Sequence, residues 1–157
     1  ELGTSLGITT LFLAMPDSKT NVITIEGSAE IAQLAQANFK KLCIKNIEQI
    51  VGNFDDMLSS VLEKYCRLPT ANCQLDFVFL DGNHRYAPTL TYFEQCLLYA
   101  NDNSVFVFDD IHWSHEMEQA WESIKKHPKV TVSIDLFFMG IVFFRNGLQK
   151  EDYVIRF

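Results

Sequence analysis

The sequence predicts an α/β fold in which helices cover both faces of a doubly wound, mostly parallel sheet. Short β-branched or continuously apolar runs alternate with segments whose apolar residues recur at helical spacing. After four such strand-and-helix units, two adjacent strands follow with almost nothing between them. Alternating units predict right-handed crossovers between parallel strands, whereas the two adjacent strands must form a tight antiparallel pair.

The first two units follow an opening turn and the apolar helix I-T-T-L-F-L-A. Residues 21–26 form a strand, and the next segment is a helix that Ser28 caps. Residues 47–52 form another strand, and Asp55 or Asp56 caps the helix after it. Residues at helical spacing form a stripe on each helix. On the first helix they are Ile31, Leu34, Ala35, Asn38 and Phe39. On the second they are Met57, Leu58, Val61, Leu62 and Tyr65.

The next two units have more apolar strands. Residues 75–82 are nearly continuously apolar, as expected for a strand covered on both faces, and Pro88 suits the first turn of the following helix. Residues 104–110 repeat the pattern, and a helix begins at about Ser114. The stripe of the first of these helices is Leu90, Phe93, Leu97 and Leu98. The stripe of the second is Met117, Ala120, Trp121 and Ile124.

Strands also form the last part of the chain. Residues 130–136 and 137–145 are adjacent and are predicted to pair antiparallel, and residues 153–157 are a candidate edge strand. With 157 residues, the chain is predicted to fold as a single domain, residues 1–157.

Composition narrows the class of protein. Twenty acidic and 13 basic side chains give a formal charge of -7, which is the wrong sign for a surface that collects nucleic-acid phosphates. No apolar run approaches the roughly 20 residues of a membrane span. We therefore expect neither a nucleic-acid partner nor a membrane partner.

The four cysteines show no C-x-x-C pair and no histidine at zinc-binding spacing. Reduced thiols in a cytoplasmic protein are the favoured interpretation. The four residues are Cys43, Cys66, Cys73 and Cys96.

The opening turn, E-L-G-T-S-L-G, brings Gly3, Ser5 and Gly7 between a strand end at Glu1 and an apolar helix. We expect the first strand to begin upstream of Glu1. The G-x-G-x-x-G spacing of a dinucleotide fold is missing, and two glycines can also serve only to make a tight turn. Glu26, however, ends a strand about 20 residues after the turn, where a carboxylate can accept both hydroxyls of a ribose. Together the two features indicate a nucleoside-containing cofactor.

These motifs resemble those of the class I S-adenosylmethionine-dependent methyltransferases, and the resemblance covers nearly the whole chain. E-L-G-T-S-L-G is similar to their first motif, V-I-T-I-E-G to their ribose-binding strand end, and I-V-G-N-F-D-D to the segment beside adenine. The paired strands 130–136 and 137–145 are similar to the antiparallel hairpin of the family's sixth and seventh strands. The resemblance implies a Rossmann-like fold with this hairpin at the edge of the sheet.

The resemblance also implies positions for the cofactor. Glu1, Gly3 and Gly7 would lie against its methionine part, with Ser5 in the same turn, and Glu26 would hold the ribose, with Gly27 beside it. Adenine would be bordered by Asn53, Phe54 and Asp55, although core packing is an equal alternative for Phe54. Asp81, at the end of the third complete strand, would complete the cofactor site.

Three acids follow neighbouring strands, Asp81 in one loop and Asp109 and Asp110 in the next. The pattern resembles catechol-type and sugar-type O-methyltransferases, in which corresponding acids hold a divalent metal such as Mg²⁺. The catechol-type enzymes carry Asp-Asn where this chain has Asp109-Asp110, and Lys where it has His84. The alternative is that these carboxylates orient the cofactor's amino group, cap helices or bind backbone amides.

Transfer of a methyl group to a hydroxyl needs a group that removes the hydroxyl proton. His84, in the loop that Asp81 begins, is the candidate base, and Asp81 is its candidate catalytic partner. His112 and His115 are alternatives, and each of these three histidines can also be only a solvent-exposed loop residue, whereas His127 before Pro128 is expected to have no catalytic role. Tyr86 and Trp113, in the same two loops, either wall the acceptor or pack beneath the loops.

The leading hypothesis is a small-molecule O-methyltransferase that uses S-adenosylmethionine. An NAD-type oxidoreductase on a similar sheet is a second hypothesis, and a catalytically silent methyltransferase-like binding domain is a third. The protein possesses no sequence motif that decides between a monomer and a homodimer.

Overall fold

The structure, a computed structural model, describes residues 1–66 and 75–156 and divides the chain into two compact units. The first unit is Glu1–Ser60 and the second is Val61–Phe157. No helix among the described residues is both long enough and apolar enough to cross a membrane.

The first unit contains α1 (Ile8–Ala14), β1 (Val22–Glu26), α2 (Ala29–Lys41), β2 (Ile47–Val51) and the start of α3 (Phe54–Cys66). β1 and β2 pair in parallel, from Val22 opposite Ile47 to Glu26 opposite Val51. Leu2 makes an isolated parallel bridge to Ile25. The predicted elements from α1 to α3 are therefore confirmed, within one or two residues at their ends, whereas among the described residues the strand predicted to end at Glu1 is represented only by the Leu2 bridge.

The buried stripe of α2 differs from the predicted one. Ala32, Ala35 and Phe39 are buried, whereas Ile31 and Leu34 are 39% and 56% exposed. The small alanines let α2 lie close to the β1–β2 pair, and Ala35 and Phe39 pack with Leu11 of α1. The helix is thus rotated by about one residue from the face that maximal apolarity predicts.

The predicted caps are confirmed for α2 and wrong for α3. The Ser28 hydroxyl accepts a hydrogen bond from the Ile31 amide at 3.3 Å. At the start of α3 the Asn53 side chain accepts from the Asp55 amide at 3.1 Å, so Asp55 and Asp56 lie in the first turn instead of capping it. Asparagine is as favourable at the N-cap as aspartate, so the sequence alone did not show that the helix begins after Asn53 and not at Asp55 or Asp56.

The second unit contains the remaining elements: β3 (Phe77–Leu80), α4 (Tyr86–Leu97), β4 (Val105–Asp109), α5 (His115–Lys126), β5 (Val132–Asp135), β6 (Met139–Phe143) and β7 (Glu151–Val154). The strand order is β3-β4-β6-β5-β7. β3 and β4 are parallel, β6 is antiparallel to both of its neighbours, and β7 is parallel to β5.

Aromatic rings fill the core of this unit. Phe93 of α4 packs edge-on against Phe106 of β4, with ring centroids 6.3 Å apart, and Trp121 of α5 lies beside Phe108. Ser114 caps α5, and Met117, Ala120, Trp121 and Ile124 are all buried, as predicted. Leu98, by contrast, follows the end of α4 and is 76% exposed.

The terminal strands confirm the predicted antiparallel pair and refine its place. β5 and β6 form the hairpin, and β6 lies between β4 and β5. The outer edge is β7, which spans Glu151–Val154 and not the predicted 153–157.

Candidate active site

The opening turn holds its shape through left-handed backbone at three positions. Gly3, Ser5 and Gly7 have φ values of 101°, 48° and 78°. The Gly3 amide donates to the Ile25 carbonyl at 3.0 Å, which ties the turn to β1. A Cβ on Gly7 would lie 2.4 Å from a ring carbon of Phe39, so both conformation and space require glycine here.

Glu26 connects this turn to the start of α2. Its Oε2 accepts from the Ser5 amide at 2.8 Å, and its Oε1 accepts from the Ser28 amide at 2.9 Å. A carboxylate has about four lone-pair sites, so two remain after these bonds. Glu26 therefore both fixes the turn and keeps the capacity to accept two hydroxyl groups.

The segment after β2 lies at the same end of the β1–β2 pair as Glu26. The Gly52 amide donates to the Glu26 carbonyl at 2.9 Å, and Asn53, Phe54 and Asp55 follow directly. Asn53 and Asp55 are exposed, and Phe54 is half-buried. The structure thus brings the predicted ribose and adenine residues together within the first unit.

Glu1 belongs to a buried hydroxyl network that sequence reasoning missed. Its Oε2 accepts from the hydroxyls of Thr10 and Thr24, and the Thr24 hydroxyl lies 2.6 Å from that of Thr4. All three threonines are buried. The signal was three threonines, Thr4 in the opening turn, Thr10 in α1 and Thr24 in β1, because a buried hydroxyl needs a partner.

Asp81 and His84 are adjacent at the carboxyl end of β3. His84 Nε2 lies 3.4 Å from Asp81 Oδ1, and the two side chains are about one third exposed. Asn83 and His84 both have positive φ values, 66° and 21°. The hydrogen bond to Asp81 raises the pKa of His84, burial opposes that shift, and the charges of Asp81, Asp110 and Asp109 add to it.

Asp109 ends β4 next to that loop, because β3 and β4 are parallel and Leu80 lies opposite Phe108. Burial raises the pKa of Asp109, and the charges of Asp81 and Asp110 raise it further. The three predicted acids are therefore near enough to repel one another. Among the described residues, however, no three His, Cys, Asp or Glu side chains form a group that could hold a metal ion.

A second polar cluster in the same unit was not predicted. Asp135, at the end of β5 and only 6% exposed, lies 2.9 Å from His112 Nε2 and accepts from the Phe137 amide at 2.8 Å and from Arg156 Nη1 at 3.0 Å. Burial favours a raised pKa for Asp135, but the bonds from His112, Phe137 and Arg156 prevail and lower it. Glu118 lies 3.4 Å from the other ring nitrogen of His112.

This cluster holds the hairpin turn in a strained form. Phe137 has a φ of 73°, which is unusual for a bulky residue. Its ring stacks on His112 with centroids 5.7 Å apart, and the Arg156 guanidinium lies 5.6 Å from its centroid. Sequence periodicity carries no signal for such a cluster, because its members lie in three separate segments.

The remaining candidates differ in exposure and contacts. His115 is 82% exposed, and His127 packs edge-on against Phe93 with centroids 5.3 Å apart. Trp113 is 73% exposed, so it does not pack beneath its loop, whereas the Tyr86 hydroxyl lies 3.3 Å from that of Ser123. Cys43 is exposed, burial raises the pKa of Cys96 to about 12, and Cys73 lies outside the described residues.

Comparisons with known proteins agree on the class of fold. A family model described as a methyltransferase domain matches residues 1–111. Comparison with curated protein sequences finds no match.

Three solved structures illustrate the range of proteins with a similar fold. An O-methyltransferase from Bacillus cereus in complex with SAH is 21% identical, with 90% of this chain and 71% of that chain covered and a TM-score of 0.71. The O-methyltransferase TomG from Streptomyces achromogenes, involved in tomaymycin synthesis and in complex with SAM, is 21% identical, with 92% and 71% covered and a TM-score of 0.72. An rRNA methylase from Streptococcus thermophilus is 16% identical, with 92% and 86% covered and a TM-score of 0.67. These likenesses show a shared fold.

Proposed function

This chain belongs to the methyltransferase-domain family and is an S-adenosylmethionine-dependent methyltransferase, and we propose that its acceptor is a hydroxyl oxygen of a small molecule. The matched residues 1–111 include the opening turn, Glu26 and the loop with Asp81 and His84. The alternative of an NAD-type oxidoreductase is wrong, because the matching family is that of methyltransferases.

The geometry of Glu26 carries the cofactor assignment. Its carboxylate keeps two lone-pair sites after accepting the Ser5 and Ser28 amides, which suits the two hydroxyls of a ribose. A Cβ on Gly27 would have no atom within 4 Å, so there is open space beyond the end of β1. The residues present therefore fit a nucleoside cofactor.

Other positions are assigned from the same arrangement. The turn lies beside Glu26, so we assign its backbone to the methionine part of the cofactor, and the start of α3 to the adenine. Bound S-adenosylmethionine supplies an electrophilic methyl group on its sulfonium. The proposed cofactor residues of the first unit are Glu1, Gly3, Ser5, Gly7, Glu26, Gly27, Asn53, Phe54 and Asp55. Asp81, in the second unit, is proposed only from the sequence resemblance.

We assign His84 as the base that takes the acceptor's hydroxyl proton. Its imidazole must be neutral to accept a proton, and Asp81 at 3.4 Å orients the ring and stabilises the imidazolium that forms. Because Asp81 raises the pKa of His84, the neutral form needs a higher pH than an unperturbed histidine would. The positive φ values at Asn83 and His84 support a functional loop, since strained backbone of this kind clusters at active sites.

A divalent metal at Asp81, Asp109 and Asp110 is not supported, because these side chains do not form a metal-binding group in the described structure. Chelation tests the point. Turnover should persist in EDTA, whereas loss in EDTA and recovery with Mg²⁺ or Mn²⁺ would restore the metal assignment.

The test of the proposal is transfer of a labelled methyl group from S-adenosylmethionine to a panel of phenols, sugars and other hydroxyl compounds. We expect labelled product and an equal amount of S-adenosylhomocysteine, both reduced in His84→Ala. Amines, carboxylates and structured RNA belong in the panel, because one similar fold is an rRNA methylase. Label on RNA alone would contradict the small-molecule acceptor, and cofactor binding without transfer to any compound would favour the silent binding domain.

A further inference from the structure

The outer side of β7 is an exposed strand edge. β7 lies last in the order β3-β4-β6-β5-β7, so within residues 1–66 and 75–156 no strand pairs with its far side. All four of its residues are exposed, and Tyr153, Val154 and Ile155 leave 47%, 63% and 46% of their surface in solvent. An exposed strand edge of this kind is a ready template for another strand.

The hydrogen bonds to β5 fix which backbone groups face outward. The amides of Glu151 and Ile155 donate to the carbonyls of Thr131 and Asp135, both at 2.9 Å. Since backbone groups alternate in direction along a strand, the N–H and C=O of Asp152, Val154 and Arg156 point away from the sheet. A partner strand can bond only to these even-numbered residues.

We infer that this edge is the interface of a homodimer, in which β7 pairs antiparallel with β7 of a second copy about a two-fold axis at Val154. An isologous contact places residue i opposite residue j in both copies, so each favourable pair occurs twice. Such an assembly does not depend on the acceptor or on the catalytic residues.

Charge favours this register over two others that the backbone permits. A two-fold axis at Asp152 would place Asp152 opposite itself, and an axis at Tyr153 would place Lys150 opposite Arg156. Both registers set like charges against each other, which destabilises a strand pair. An axis at Val154 instead places Asp152 opposite Arg156 twice, and Tyr153 opposite Ile155 twice.

Both charged side chains keep capacity for a second partner. Arg156 uses Nη1 for Asp135, at 3.0 Å, and a guanidinium has five N–H donors. Asp152 accepts from the Ser133 hydroxyl at 2.6 Å through Oδ1, which leaves Oδ2 for a guanidinium. The ladder is short, so we expect a weak dimer, with a dissociation constant on the order of tens of micromolar or more.

Sedimentation across a concentration series tests the interface. Val154→Pro removes an outward N–H but none of the bonds to β5, and should raise the dissociation constant more than tenfold. Asp152→Lys should do the same by opposing Arg156. Val154→Thr keeps the N–H and the β-branched shape and should dimerise within about threefold of the original chain. A monomer at every concentration up to about 1 mM, or a dimer that Val154→Pro and Asp152→Lys leave unchanged, overturns the inference.

Cysteine cross-linking tests the register even if Val154→Pro fails to fold. In a Cys43→Ser background, which removes an exposed native thiol, Val154→Cys should form a disulfide-linked dimer. Its two Cα atoms would lie about 5.5 Å apart, within disulfide reach. Asp152→Cys is the matched control, because its copies would lie about 14 Å apart along the strands. Equal cross-linking of the two variants, or none at position 154, overturns the Val154 register.

Discussion

Glu26 shows how one side chain can serve structure and binding together. Its two oxygens accept the amides of Ser5 and Ser28, so it ties the opening turn to the start of α2. The same oxygens are the proposed acceptors for the ribose hydroxyls. A change at Glu26 should therefore affect both the cofactor affinity and the free energy of unfolding.

Glu26→Gln should raise the dissociation constant for S-adenosylhomocysteine at least tenfold. Charge-assisted hydrogen bonds are worth about 1.5–3 kcal/mol, and the variant loses the charge and part of the acceptor capacity. Titration calorimetry measures the affinity. Glu30→Gln, at an exposed acid in the first turn of α2, is the control and should bind normally. Unchanged affinity in a folded Glu26→Gln protein would remove Glu26 from the site.

His84→Ala should lower the single-turnover rate by about 10²–10⁴ while the cofactor affinity stays nearly constant, because the base acts on the acceptor. The raised pKa of His84 should place the acidic limb of the pH–rate profile above 6.5, since the base is inactive while protonated. Asp81→Asn should shift that limb to lower pH. Rapid-quench measurements from about pH 6 to 9 report both the single-turnover rate and the position of the acidic limb.

His115→Ala is the matched control for this prediction, because His115 is 82% exposed at the start of α5 and should not affect the rate. If His84→Ala keeps nearly the original rate across that pH range, the base assignment is wrong. His112, held by Asp135, would then be the next histidine to examine.

The conformation of the turn before α1 depends on Gly7. Gly7 is the N-cap of α1 with a φ of 78°, and the ring of Phe39 fills the space where a side chain would start. Gly27, in contrast, has open space around it. The two glycines therefore allow the structural role of the motif to be separated from its binding role.

Gly7→Ala should lower the free energy of unfolding by about 2–4 kcal/mol, because left-handed backbone and overpacking both count against alanine. Gly27→Ala should leave it unchanged within about 0.5 kcal/mol. If Gly27 lines the cofactor site, that variant should still weaken S-adenosylhomocysteine binding. Urea unfolding and calorimetry distinguish the two effects, and equal stability of both variants would contradict the packing argument.

The β5–β6 hairpin depends on Asp135, whose bonds from His112, Phe137 and Arg156 hold the strained turn. Asp135→Asn should cost about 1.5–3 kcal/mol of stability at neutral pH. Because the folded-state pKa of Asp135 is lowered, its contribution is complete above its ordinary value of 3.8 and is lost as the pH falls through the lowered value. The difference between the two proteins should therefore shrink in acid.

Thermal unfolding at several pH values checks this prediction. Glu122→Gln, which removes the exposed carboxylate that pairs with Lys125, is the control and should cost less than about 1 kcal/mol. A difference that stays constant from neutral to strongly acidic pH would show that Asp135 does not act through its charge.

The whole chain divides into two compact units, yet the boundary at Ser60 and Val61 falls inside α3. A boundary within a helix differs from the flexible linkers that usually separate domains. We therefore propose that residues 1–157 unfold as one domain, as their length predicts. Far-ultraviolet and near-ultraviolet circular dichroism should report a single coincident transition with urea, and two separate transitions would establish independent domains.

The sequence by itself determined the order and type of the elements. Each depends on local physics: a period of two or of 3.6 in the apolar residues, a serine that can cap at Ser28 or Ser114, and two strands too close for a crossover. The glycine turn and the acid at Glu26 were predictable for the same reason, because both are recognised from their positions along the chain.

Tertiary structure alone decided which distant residues meet. The apolar pattern did not show that α2 would bury alanines, that β6 would lie between β4 and β5, or that His112, Asp135 and Arg156 would converge. Residues more than 20 positions apart in the chain have no local preference for one another, so their contacts follow from how the elements pack. The backbone directions at the edge of β7, and the dimer inferred from them, likewise depend on the register of β7 against β5.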